Sequence, residues 1–466
     1  MLNYLPRYFT SKAIFLYIGV LVLVNIVYFS NALSIYWWIS GIIEVVGFFY
    51  FSNLLTRKWS TLSEKKFSKK LFQTSLLIRV FWVIFSYLFY LAMTGQPYEF
   101  HPGDVLTYQK LATDLASRGF SAYESVFHGM AIGDRGYATY LGTLYMILGN
   151  GLIIPRLIKA LLGSFGVMLI YKFTVRNFGE GVGRMAAVFC MLMPNLIYYT
   201  ASHLKEAEMV FLIIAFIERA DFMIKTKNFS FINITVPLVI VISLFFLRTA
   251  LGLMALLSLF TALMFSTNKI LGMGKRTILI VWVLVAIAFL AGGKISTDVE
   301  QIWSQRGSNQ ENSLQMRTTR VGGNKFAKYA GGLVFAPMIF VIPFPTIVDI
   351  PKQENQELLN GGNYVKNIMA FFVIMAFYWV LKTKKWRDHL LIGSFTLGYL
   401  GIIAFSAFAQ SERFHQPVLP FELIMAAYGL SMITNKQKKY FTWWMVLIFV
   451  AIVGWSWFKL AGRGMA

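Results

Sequence analysis

The chain has 466 residues, of which 57% are hydrophobic, 17% aromatic and 14% charged, a balance that excludes an ordinary soluble globule. Its formal net charge of +22 raises nucleic acid as a partner, yet the Lys and Arg residues concentrate in short segments between apolar runs. Those segments, 57–70, 172–184, 225–227, 269–276, 382–388 and 436–439, contain only Glu64, Glu180 and Asp388 as acids. By the positive-inside rule they are cytoplasmic loops against anionic lipid, so membrane lipids account for the charge and no nucleic acid is required.

In chain order, Arg7 and Lys12 precede the apolar run Ala13–Phe29 without a small-residue cleavage signal, which predicts a retained helix over 13–31. Further runs of about 20 apolar residues or slightly fewer predict spans at 35–55, 72–93, 152–174, 185–201, 206–224, 231–247, 249–267, 276–292, 364–381, 390–408, 417–434 and 441–458. The expected fold class is an all-α polytopic membrane protein of about thirteen transmembrane helices in a single integral membrane domain, residues 1–466. Residues 94–151 and 293–363 are two long external loops, and residues 364–466 are the C-terminal helices. Tyr137–Leu148 is apolar but short, and Leu333–Ile350 contains Pro337, Pro343 and Pro345; both read as re-entrant or interfacial pieces. The one cysteine, Cys190, lies in an apolar run, so the chain forms no internal disulfide.

The first external loop carries the stretch EFHPGDVLTYQKLA. Tyr108, Leu111, Ala112 and Leu115 recur at helical spacing, predicting an amphipathic helix in the interface plane. His101-Pro102-Gly103 breaks the chain before it, and Asp104 falls where an N-cap belongs. A carboxylate there either caps the helix or acts as a general base at the membrane surface.

Three more outer junctions bear charge. In SHLKEAEM, a continuous helix would put His203 beside Glu206 and Lys205 beside Glu208, with Lys205 able to hold a phosphate or simply snorkel. Arg248, between two apolar runs, suits a phosphate or carboxylate. AQSERFHQPVLPF groups Glu412, Arg413 and His415 before Pro417 and Pro420, a substrate contact or a plain polar loop. His101, His128, His203 and His415 all fall on the outer side, at spacings that match no zinc pattern.

The order of these features resembles the GT-C membrane glycosyltransferases, especially the protein mannosyltransferase and aminoarabinose transferase group. The resemblance is carried by an external Asp after an early helix, an amphipathic segment, and then Pro155–Ile213, with its Phe-Gly turn, Ala-rich helix ending at a Pro and acidic residue opening the next outer span. It covers about residues 75–225, with a weaker echo in ERFHQPVLPF. It implies sugar transfer from a polyprenyl-phosphate or polyprenyl-diphosphate donor to a glycan, lipid or protein acceptor, at the outer (periplasmic) face of the plasma or inner membrane. Asp104 would be the catalytic base and Glu206 the second acid, orienting acceptor or base. Lys205, His203, Arg248, Glu412, Arg413 and His415 would surround the substrate, the cations stabilising the phosphate leaving group. The resemblance demands no organic cofactor and is compatible with a divalent cation; the family's paired first-loop acids are absent, Glu99 lying five residues from Asp104. A polysaccharide polymerase or ligase using external Arg and His, with His101, Arg317 and Arg320 as secondary candidates, is the alternative. A flippase or transporter of lipid-linked sugars ranks third, because most acids sit at span ends rather than within spans.

Overall fold

A computed structural model describes residues 2–130, 132–228, 230–265, 315, 318–319, 323–329, 332–406 and 408–466. The predicted span at 276–292 lies outside them. Within them the chain is helical apart from turns, extended loops and an isolated bridge between Ala32 and Val348.

Three long helices open the chain: α1 (Arg7–Val27), α2 (Ile35–Lys58) and α3 (Glu64–Thr94). Two amphipathic helices follow, α4 (Gly103–Arg118) and α5 (Ile132–Leu148), then α6 (Ile153–Phe178). Next come α7 (Glu180–Leu192), α8 (Pro194–Ala201), α9 (Glu206–Thr226), α10 (Phe231–Leu247) and α11 (Thr249–Phe265). The chain closes with α12 (Asn360–Lys382), α13 (Leu390–Ala404), α14 (Leu419–Ser431) and α15 (Asn435–Ala461).

Among the described residues, α1, α2, α3, α6, α12 and α15 are each long and apolar enough to cross a membrane. Their outward faces are greasy: Phe15, Leu77 and Trp443 are 74%, 70% and 72% exposed. A surface of that kind belongs against lipid rather than water, and the protein is a membrane-embedded helical bundle. Helices α10, α11 and α14 are apolar but have only 17, 17 and 13 residues.

The expected span at 185–201 is broken. Pro194 has no N–H to continue the helix, so Met193 turns extended and α7 and α8 meet at a 48° bend. The carbonyls freed at such a break need donors in an apolar setting. Arg79, buried within α3, donates to the Cys190 carbonyl at 3.4 Å and is steadied by the Ser75 hydroxyl at 2.6 Å. A second interruption, Ser202–Lys205, separates α8 from α9. The Lys159 ammonium donates to the Ser202 carbonyl at 2.9 Å, to the Leu204 carbonyl and to the Tyr137 hydroxyl at 2.7 Å. His203 therefore does not share a helical face with Glu206.

The apolar face of helix α4 is covered by protein. Tyr108, Ala112 and Leu115 pack on α5. The approach needs Gly142, since a Cβ there would stand 2.9 Å from the Leu115 side chain and 3.1 Å from the Ala112 carbonyl. The short apolar segment predicted at 137–148 is thus the partner of the amphipathic one.

Beyond the 3-10 turn Ala336–Met338, residues 341–350 are non-helical and largely buried, and neighbouring side chains satisfy their backbone. Lys366 donates to the Ile342 carbonyl at 2.6 Å, Asn367 to the Pro343 carbonyl at 2.9 Å, and the Ile350 N–H donates to Glu357 Oε1 at 2.8 Å. Burial pushes the Glu357 carboxyl up to about 7, with the Ile350 N–H opposing. A carboxyl raised above its unfolded value of 4.5 stabilises the fold while protonated, and that contribution is lost as pH climbs towards 7. Glu357→Gln, which retains an acceptor for Ile350, is expected to lose less thermal stability than the wild type between about pH 5 and pH 8; melting curves of both proteins in detergent across that range test it.

Candidate active site: an arginine between two carboxylates

At the end of the bundle where α3 gives way to α4, three distant segments converge. Asp104 stands in the first turn of α4, Glu206 opens α9, and Arg413 sits in the helical turn Glu412–His415 ahead of α14. Arg413 donates through one terminal nitrogen to Asp104 Oδ2 at 2.6 Å and through Nε to Glu206 Oε1 at 2.7 Å. Arg248, in the extended break between α10 and α11, reaches the same Glu206 oxygen at 3.5 Å, donates to the Tyr399 hydroxyl at 3.3 Å and lies over the Phe414 ring.

The physics of this cluster is that of a buried anion needing cations. Glu206 is fully buried, which disfavours its charge, but it lies at a helix N-terminus and faces two guanidinium groups. Burial works against the charge of Arg413, yet Glu206 and Asp104 together hold it above the ordinary arginine value. Asp104 differs: its side chain is 60% exposed, and Arg413 holds one of its oxygens.

Asp104 is not the N-cap. Helix α4 starts one residue earlier, at Gly103, with Pro102 in the capping position and no side-chain cap bond. The Pro102 carbonyl takes the Leu106 N–H at 3.0 Å, which leaves the Asp104 carboxylate for Arg413.

A cavity of about 300 Å³ opens beside the cluster, bordered by Glu99, His101, Asp104, Tyr198, Tyr199, Asn355, Glu412 and Arg413, among others. His101 Nε2 pairs with Glu354 Oε2 at 3.0 Å, joining the first loop to the segment ahead of α12. Burial pushes the Glu412 carboxyl up.

The other residues expected to touch substrate are already engaged. The Lys205 ammonium is held by Asp134 at 2.9 Å and the Gly133 carbonyl at 2.8 Å, and burial lowers its pKa against the pull of Asp134. His203 is buried and its pKa is driven well below the imidazole range by burial, then by Lys159 and Arg156, so it is neutral; its Nε2 lies 3.3 Å from the Tyr145 hydroxyl. His415 is buried away from the cavity, with Nδ1 accepting from Lys366 at 2.8 Å and Nε2 donating to the Ala409 carbonyl at 2.9 Å. Both bonds suit a neutral ring that anchors the Arg413 turn, consistent with burial and Lys366 holding its pKa down. Arg317 and Arg320 lie outside the described residues.

Glu99, Asp134 and Tyr399 are site residues that the sequence reading passed over. Glu99 was visible as the nearest acid to Asp104, but nothing in its spacing marked it as buried. Arg413 occupies the position between Asp104 and Glu206.

Removing Arg413 leaves Glu206 buried with only the longer Arg248 contact. Arg413→Ala is expected to cost about 3 kcal/mol, and adding Glu206→Gln should restore part of it; a double-mutant cycle on thermal stability measures the coupling.

Neither a protein-family model nor a curated protein matches the sequence.

Proposed function

We propose that the protein is a membrane glycosyltransferase of GT-C type. It moves a sugar from a polyprenyl-phosphate or polyprenyl-diphosphate donor to a glycan, lipid or protein acceptor, with about thirteen spans in the plasma or inner membrane and its cavity on the outer side. One observation carries the reading: the first-loop acid, the acid opening α9 and the arginine ahead of α14, the positions the resemblance singles out, meet within hydrogen-bonding distance beside a cavity.

The chemistry is an inverting single displacement. An acceptor hydroxyl gives its proton to the Asp104 oxygen not held by Arg413, and its oxygen bonds to the anomeric carbon. The bond from that carbon to the phosphate oxygen breaks, and the phosphate departs with the electron pair. A phosphate leaving group needs no general acid, so one base suffices. Arg413, fixed by Glu206, and Arg248 are the cations nearest the developing charge. Glu206 is spoken for by both arginines, so its part is to aim Arg413. Lys205, His203 and His415 support the frame.

The test is sugar transfer by the purified protein from polyprenyl-linked donors. Asp104→Asn should lower turnover by at least about a hundredfold, the scale of a lost general base. Full activity in that variant sinks the assignment of Asp104. Loss in Arg317→Ala alone favours the polymerase or ligase reading, and counterflow in vesicles without a new glycosidic bond favours transport.

A further inference from the structure

We infer that Glu99 is the acceptor-side contact of the cavity, its free carboxylate oxygen receiving a hydrogen bond from a hydroxyl group of the incoming acceptor. The inference rests on the transferase reading for the word acceptor, but the contact itself is argued from the residues around Glu99.

Glu99 is 4% exposed and sits in the linker between α3 and α4, on the cavity wall. Its Oε1 accepts the His203 N–H at 2.7 Å. The N–H comes from the Ser202–Lys205 interruption, so the break in the helix supplies the donor that aims the carboxylate. Its Oε2 has no hydrogen-bond partner. A buried carboxylate oxygen without a donor costs the protein its desolvation, and a ligand in the cavity that Glu99 borders would lift that cost.

The surroundings select the kind of donor. Arg156, fully buried, is tied by one terminal nitrogen to the Pro97 carbonyl at 2.7 Å. It and Glu99 act on the same neighbour, Tyr98, whose pKa burial raises, with Arg156 opposing and Glu99 reinforcing. Lys159, buried and held by the Ser202 carbonyl, also interacts electrostatically with Glu99. With two cations already acting near it, the carboxylate does not call for a third. A neutral O–H donor satisfies Oε2, and a sugar or other polyol presents several. Glu206 cannot serve: it does not border the cavity, and two arginines share its Oε1.

Glu99→Gln retains a carbonyl oxygen for the His203 N–H while removing the charge, so it separates binding from folding. In the full-length protein in detergent, methyl glycosides are the probe, followed by intrinsic tryptophan fluorescence. The wild type should bind them saturably and Glu99→Gln at least about tenfold more weakly, the scale of a hydrogen bond to a charged group. As a second measurement on the wild type alone, a hydrophobic carbodiimide should label Glu99, and methyl glycosides should protect it, read by peptide mass spectrometry. Equal binding by the two proteins, or labelling that glycosides leave unchanged, overturns the inference. If glycosides bind through Glu99 but no sugar is transferred, the transferase reading fails and the polyol site stands. If transfer proceeds and Glu99→Gln retains the wild-type acceptor KM, the inference fails and the reading stands.

Discussion

One guanidinium organises this end of the bundle. Arg413 joins α4 to α9, and the carboxylates it joins could not both stay where they are without it. Glu206 has no water to fall back on, so its charge must be met by protein. Arg248 adds a second cation from the break between α10 and α11, and Tyr399 of α13 holds Arg248 in turn. Segments that would otherwise touch only through apolar packing are thereby registered by charge-assisted bonds, which are directional in a way that packing of Leu and Phe is not.

Interruptions do as much as helices. The bend at Pro194 puts an irregular backbone where a continuous span was expected, and the break at Ser202–Lys205 and the extended residue at Arg248 shape the junctions between expected spans. The first two are held by side chains, Arg79 and Lys159, and the third by the backbone bond from the Arg248 N–H to the Leu244 carbonyl at 2.7 Å. In an apolar bundle such breaks persist only where donors and acceptors are found for the freed groups. The polar residues buried at these points, odd in a greasy chain, are the price of irregular backbone.

The helices were legible because their apolar runs are long and the basic segments between them are sharp. The site residues were legible one at a time, since a charged residue at the end of an apolar run stands out whatever its purpose. Their pairing was not, because Arg413 is 309 residues from Asp104 and 207 from Glu206, and no local period spans such a distance. Periodicity misled in SHLKEAEM, where i to i+3 spacing presumed a helix that Lys159 prevents by taking the Ser202 and Leu204 carbonyls. It misled again at Asp104, where the preceding Pro, not the Asp, occupies the cap. Glu99 stood out only as the acid nearest Asp104: its importance is its burial, which the packing of the linker against His203 reveals.

The two arms of Arg413 differ in their access to water, and that asymmetry has an ionic consequence. The Glu206 arm ends on a fully buried oxygen, out of reach of dissolved salt, whereas the Asp104 arm ends on a side chain that is mostly exposed. Mobile ions screen exposed pairs strongly and buried ones weakly. Rising ionic strength therefore weakens the hold of the arginine on α4 more than its hold on α9.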